Sequence, residues 1–404
     1  MDARAGESPE DDAGDARARD VADVDTMPDG GVWVPETLTL EAVMTSPDPH
    51  ERGYFGKAVA LTSDGLFVAE TAGAEGIDGV DGHVYRFDVA SQALTRTLAA
   101  PSDAGGRPYF GRALGVVGDA LYVGAPGAYA RGAVFRYDLR DAQDTPDEVF
   151  TPGVRGAEQL TFSPELRGLG RDLHAGDDAL VVGSDSGHIL HIDLAERARV
   201  THDVFLADPV FATDVALFAG AVWTTRWTHA AVEGMPGGVS RCTPGDALVC
   251  THALLAGIGA VDAPAIGSGA AWLAVAGSTV DGPGFAISIF SPNDLDAPAQ
   301  TLEGPDELTD AFATDVSVGE RMIAIGGGAA DANAIDDGAG AVFIYQLGDD
   351  DVWRETQRLI SPNARYREEF GYAVAISETH LAVGARFDDT AAPSGGAVYL
   401  YRRE

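Results

Sequence analysis

The sequence predicts an all-β fold, a seven-bladed β-propeller of four-stranded antiparallel blades spanning residues 36–404, and three observations predict it. A Phe-Gly pair or a relic of one opens seven units, at Phe55, Phe110, Leu169, Phe211, Ile258, Phe312 and Phe370. These openings lie 55, 59, 42, 47, 54 and 58 residues apart, close to the roughly 40–50 residues of a propeller blade. Within units, stretches such as 84–87 (Val-Tyr-Arg-Phe) and 134–137 (Val-Phe-Arg-Tyr) alternate with period two and are rich in β-branched and aromatic residues, the mark of strands. No segment sustains a 3.6-residue period. A ring of such blades leaves few sheet edges exposed.

The elements follow in order. Residues 1–30 hold ten acids against three arginines and almost no large apolar side chain, so residues 1–35 are expected to be a disordered acidic tail or tether. This segment lacks the basic start and apolar run of a secretory signal. An acidic tether behind a removed export signal or lipid anchor would account for it, and a merely solubilising tail is the alternative. Next, TLTLEAVM at 37–44 precedes the first Phe-Gly as WRETQRLI at 353–360 precedes the last. Units one, two and seven open with FGKAVALTSDGLFVAE, FGRALGVVGDALYVGAP and FGYAVAISETHLAVGAR, and continue after a Gly/Asp-rich loop into GHVYRFD, GAVFRYD and GAVYLYR. The turns at 63–65 and 118–120 are hairpin-sized, and continuous runs such as LAVGA suit strands covered on both faces. Units three to six are weaker copies, carrying GHILHID, GGVSRC, GFAISIF and GAVFIYQ in turn. The last unit stops at Tyr401 with no chain left for a fourth strand, so the segment at 37–44 is expected to complete it and latch the ring.

Phe110-Gly111 followed by Gly124-Ala125-Pro126 resembles the FG-GAP repeat of the seven-bladed propeller in integrin α chains and in many bacterial surface proteins. The resemblance spans about residues 36–404 and implies an adhesion or binding head with a protein or glycan partner. Small residues suit crowded inner strands and the aromatic fills the gap between blades, so the repeat residues themselves have packing roles. Some blades of that family hold calcium in a D-x-D-x-D-G loop. Here the acidic loops lie instead between the second and third strands, and the candidate calcium ligands are Asp331, Asn333, Asp336 and Asp337, with Asp78, Asp81, Asp388 and Asp389 as weaker ones. Hard carboxylate oxygens suit Ca²⁺, while solvated turns explain the same residues.

The balance of 27 basic and 63 acidic residues, a formal charge of -36, argues against nucleic acid and anionic membranes, since no cationic surplus can replace phosphate counterions. No stretch nears the roughly 18–20 apolar residues that span a bilayer, so no membrane insertion is expected, and the chain is expected to be a monomer. Cys242 and Cys250 flank a Thr-Pro-Gly-Asp turn, where a hairpin would join them in a disulfide; two buried thiols are the alternative. A disulfide would place the protein outside the cytoplasm, at a cell surface, in a periplasm or secreted.

Enzyme signatures are missing from the sequence. Lys57 is the single lysine, and its Gly-Lys-Ala setting lacks the Ser or Thr of a phosphate loop. There is no H-E-x-x-H or G-x-S-x-G; Asp185 stands where the latter's nucleophile would be. His188 and His191, three apart on a strand, face opposite sides. Acids from separate blades could still meet at the channel mouth, so a hydrolase or lyase sited there is the alternative to a non-enzymatic binding module. Trp223, Arg226 and Trp227 in unit four and Tyr366 between two arginines are candidate ligand-binding residues, since aromatics with arginine favour recognition; a Trp filling an inter-blade core is the competing explanation.

Overall fold

The structure is a computed structural model describing residues 19–20, 33–71, 82–152, 165–176, 178–194, 199–205, 210–228, 238–243, 249–253, 265–278, 285–304, 313–328 and 338–404. Two strands, β1 (Arg19–Asp20) and β2 (Leu38–Thr45), precede the first unit. Blade one is β3 (Phe55–Leu61), β4 (Gly65–Glu70), β5 (His83–Asp88) and β6 (Leu94–Ala99); blade two is β7 (Leu114–Val117), β8 (Ala120–Ala125), β9 (Ala133–Asp138) and β10 (Glu148–Phe150). Blade three is β11 (Leu169–Ala175), β12 (Ala179–Ser184), β13 (His188–Asp193) and β14 (Arg199–Phe205); blade four is β15 (Val210–Phe218), β16 (Ala221–Thr228), β17 (Gly238–Thr243) and β18 (Val249–Ala253). Blade five is β19 (Ala265–Ser268), β20 (Leu273–Ser278), β21 (Phe285–Phe290) and β22 (Gln300–Glu303); blade six is β23 (Asp315–Val318), β24 (Met322–Gly327), β25 (Ala341–Leu347) and β26 (Trp353–Leu359). Blade seven takes β27 (Phe370–Ile376), β28 (His380–Ala385) and β29 (Ala397–Arg403) from the C-terminal unit and its outer strand, β2, from the other end of the chain. Each blade is an antiparallel sheet in sequence order, and β1 adds to the outer edge of blade six, Arg19 opposite Arg358.

The expected latch is therefore present, paired from Leu38 opposite Arg403 to Thr45 opposite Ala397 with a bulge at Glu41. Two buried glutamines of blade six hold its approach. Gln346 receives the Glu36 amide at 2.8 Å and returns a bond to the Glu36 carbonyl at 2.7 Å, and Gln357 receives the Leu38 amide at 2.8 Å. The proposed tail residues 1–18 and 21–32 lie outside the described residues.

Seven apolar clusters form the core among the described residues, one at each junction between neighbouring blades. The aromatic of each Phe-Gly sits in one of them: Phe55, Phe110 and Phe370 are fully buried, and Phe370 meets Tyr399 edge-on at 5.1 Å. The glycine that follows is required by backbone, not by surface. Pairing slips just after it, between Phe55 and Ala58 and between Phe370 and Ala373, a bulge that sets Gly56 at φ +86. A Cβ there would stand 2.6 Å from the Ala397 carbonyl oxygen of blade seven, and one on Gly384 would run into the carbonyl of Gly56. Glycines from neighbouring blades thus let two backbones touch, which explains why the repeat needs both its Phe-Gly and its Gly-Ala.

The inner strand of blade five is Ala265–Ser268; Ile258-Gly259, the expected opening of that unit, lies outside the described residues. The expected disulfide is present: Cys242 and Cys250 are directly opposed on β17 and β18, their sulfurs bonded.

Antiparallel order sends the connections from second to third strand, and from fourth strand to the next blade, to one end of the ring. Examples are 46–54, 100–113, 360–369 and 386–396. At the opposite end the inner strands close in tight hairpins such as 62–64, 118–119 and 377–379.

Candidate functional site at the axial channel

The residues that follow each Phe-Gly position face the axis. Inner strands are sheet edges, so their side chains and unpaired amides meet there. Lys57, Arg112 and Arg171 occupy the first position after the pair in blades one, two and three, and Tyr372 the same position in blade seven. Asp172, Asp214 and Asp315 occupy the second position in blades three, four and six, where blades one, two and seven have alanine. All seven line a cavity of about 280 Å³ together with Thr314, Ser317 and apolar side chains.

Each aspartate serves the next blade that follows it. An Asp172 oxygen accepts the Val215 amide at 2.7 Å, and Asp315 accepts its own neighbour's amide, Val316, at 2.9 Å and the Val374 amide of blade seven at 2.8 Å. Asp214 does the same for Ile266. Edge amides that would otherwise be stranded are thereby paired. The aspartates are half-buried, but blades enclose them on every side. Burial pushes the carboxyl of Asp172 up to about 6, against the pull of the Val215 and Leu173 amides and of Arg112. Burial takes Asp315 up to about 7, with the charge of Asp172 adding to it. Asp214 is held well above the ordinary carboxylate range by burial and by the charges of Asp172 and Asp315. Burial alone would lower Arg112, but Tyr372, Asp172 and Asp214 around it hold it above its usual value.

A ladder of cations and rings joins this channel to the rim between blades seven and one. The Arg386 guanidinium lies 3.9 Å from the Tyr372 ring centroid and 4.4 Å from that of Phe387. Phe387 meets Tyr54 edge-on at 5.3 Å, and the Lys57 ammonium stands 5.7 Å over Tyr54. Such stacks fix side chains that would otherwise be mobile. Deeper in the channel, His174 is driven down to about 4 by burial, so it is neutral, with Nε2 3.1 Å from Ser268 Oγ.

The residues singled out from sequence fare differently. Asp331, Asn333, Asp336, Asp337, Asp78 and Asp81 lie outside the described residues. Asp388 is fully buried and its carboxylate accepts the Tyr399 hydroxyl at 2.7 Å and the Thr390 amide at 2.7 Å, while Asp389 accepts the Ser394 amide at 2.6 Å; these contacts make them turn-forming residues of their loop. Among the described residues no group of three or more His, Cys, Asp or Glu side chains is placed to hold a metal ion. Trp223 is 1% exposed, in the core between blades four and five against Phe290 at 5.4 Å, so it fills the inter-blade core and offers no surface to a ligand. Arg226 and Trp227 belong to β16, their side chains outside what is described. Tyr366 is 56% exposed with the Arg367 guanidinium 4.9 Å over its ring.

The axial group was not assembled from sequence. Its signal was available in the two residues after six of the seven openings, where Lys-Ala, Arg-Ala, Arg-Asp, Thr-Asp, Thr-Asp and Tyr-Ala break an otherwise apolar pattern.

Among solved structures, one titled crystal structure of the mitotic checkpoint complex superposes with a TM-score of 0.57 at 15% identity, covering 100% of this chain and 96% of that one. The WD40 repeats of RRP9 give 0.57 at 12% identity over 91% and 100%, and U3-55K gives 0.53 at 12% over 90% and 95%. At such identities the likeness is one of fold. No curated protein sequence matches the chain. A family model for the FG-GAP repeat matches residues 353–401, the outer strand of blade six and most of blade seven. The chain is thus a seven-bladed β-propeller of four-stranded blades that carries an FG-GAP repeat at 353–401.

Proposed function

We propose that this propeller is a non-enzymatic binding or adhesion module that works outside the cytoplasm, as a monomer, and presents one end of its ring to a protein or glycan partner. The observation that carries the reading is the asymmetry of the ring. The long connections and the charged channel mouth share one end, and the inner strands close in tight hairpins at the other. Loops held on a rigid scaffold are where binding residues concentrate. The Cys242–Cys250 disulfide supports an oxidising compartment. Calcium in the 331–338 loop is part of the proposal, resting on that loop's four oxygen-bearing side chains. Screening the purified chain against glycan and surface-protein arrays tests the reading. Binding abolished by replacing 360–369 with a short Gly-Ser linker supports it, whereas a partner unaffected by changes at this end overturns it. Melting in millimolar calcium and in chelator at fixed ionic strength tests the metal, and identical midpoints sink it.

One observation favours a second reading, an enzyme of hydrolase or lyase type at the channel mouth: three aspartates converge there, two with carboxyls raised to about 6 and about 7. General acid–base work wants such values. Against it, their oxygens already serve the inner-strand amides of the following blades. Turnover of polysaccharides that is lost in Asp214→Asn would decide for the enzyme.

A further inference from the structure

We propose that the axial cavity binds a compact hydroxylated carboxylate of monosaccharide size, free or as the end residue of an acidic glycan, with its carboxylate seated on Arg112. This deepens the binding reading above and rests on it. The cavity, about 280 Å³, falls just below the roughly 300–1,000 Å³ of ordinary small-molecule sites, which limits the occupant to one sugar-sized unit.

Its lining selects the chemistry. The chain carries 27 basic residues to 63 acidic, yet three successive blades bring a cation to the same repeat position on one cavity wall. Arg112 lies among Tyr372, Asp172 and Asp214, and its planar fork matches a carboxylate with two parallel bonds. The opposing acids do not cancel this field. Both oxygens of Asp315 receive backbone amides, as does one of Asp172; burial raises Asp214 well above the ordinary carboxylate range and Asp315 to about 7, so Asp315 carries only about half a charge at neutral pH. Carboxyl groups, Tyr372 and Ser317 then face the ligand's hydroxyls. Asp172, the carboxyl closest to ionised at neutral pH, works against a doubly charged phosphate more than against a single carboxylate.

The titratable groups lining the cavity are Lys57 on β3, Arg112 before β7, Arg171 and Asp172 on β11, Asp214 on β15, Asp315 on β23 and Tyr372 on β27, with the neutral His174 further along β11 and Arg386 and Glu369 behind Tyr372; β19 contributes the apolar Ile266. Arg171 is itself paired with Asp185 at 2.8 Å. Raising pH ionises the aspartates and leaves the cations unchanged, so affinity for an anion falls.

Calorimetric titration of the full chain with glucuronate, glucose and inorganic phosphate at constant ionic strength tests this, at pH 6 and pH 8. Glucuronate is expected to bind, about threefold or more tighter at pH 6, and to lose about tenfold or more in Arg112→Met; glucose and phosphate bind more weakly. Should Arg112→Met fail to fold, Arg112→Lys and Lys57→Met take its place, both expected to weaken glucuronate and leave the melting midpoint within a degree or so. The proposal falls if a folded Arg112 variant binds as well as the parent, if glucose or phosphate binds as tightly, or if neither glucuronate nor an oligoglucuronate binds. A partner captured at the loop end and blind both to Arg112→Met and to competing glucuronate would leave the broader binding reading standing and remove this one.

Discussion

Ser46, Glu70 and Tyr85 form a buried polar trio in blade one, where Ser46 Oγ and the Tyr85 hydroxyl donate to Glu70 Oε2 at 2.9 and 2.8 Å. Blade seven has a matching trio wired in series, Ser361 Oγ 3.0 Å from the Tyr399 hydroxyl, which donates to Asp388 at 2.7 Å. At the matching positions blade two has Ala100, Ala128 and Phe135, an apolar set in its core. Three positions are therefore polar together or apolar together, as expected where a single buried orphan costs more than the whole set contributes. Ser46→Ala or Tyr85→Phe alone should lower stability by about 1–2 kcal/mol, read from the urea midpoint. The triple change Ser46→Ala, Glu70→Ala, Tyr85→Phe, which copies blade two, should cost less than the sum of its parts. A triple variant weaker than that sum would contradict the coupling. The trio was illegible in sequence because its carboxylate moves: Glu70 ends a second strand, whereas Asp388 lies three residues beyond the equivalent point, in a loop whose acids look like solvated turns or calcium ligands.

At the scale of elements, strands were readable because they repeat. Unit boundaries held wherever Phe-Gly survived, since the bulge glycine and the carbonyl facing it leave no other residue type at that point. Blade five has no such pair directly before Ala265, so sequence carries no mark of where its inner strand begins. Gly384→Ala should therefore destabilise strongly, by about 1–3 kcal/mol or more, because its methyl would meet the Gly56 backbone, while Gly118→Ala, in an open turn with nothing within 4 Å but at φ +52, should cost far less. Thermal unfolding of the two variants side by side checks this, and equal shifts would sink the contact argument. Deleting residues 31–48 should abolish cooperative unfolding, since blade seven loses its outer strand; deleting residues 1–18 should change the midpoint little. Reducing Cys242–Cys250, which closes a short loop of separation 8, should cost about 2–3 kcal/mol, seen as a lower midpoint in reductant.

Across the whole molecule, the axial carboxyls couple stability to pH. Asp172 and Asp315 titrate near 6 and 7 when folded, and Glu368, raised to about 7 by burial and the neighbouring charge of Asp388, behaves alike. Unfolded carboxyls titrate near 4. Their contribution is thus fully present below about pH 4 and is lost as pH rises through 6 to 7. His174, lowered to about 4, acts oppositely: its contribution is present above about 6.5 and lost as pH falls through 4. Asp315→Asn, which keeps an oxygen for the Val374 amide, should flatten the decline in stability between about pH 4 and 7 in urea titrations. An unchanged slope would remove Asp315 from this account. The latch has a mechanical consequence as well. Thr37 and Glu404 exchange backbone bonds at 3.1 and 2.9 Å, and β2 runs antiparallel to β29 from that point, so a pull applied between these two residues would load the ladder one rung at a time and peel it like a zipper.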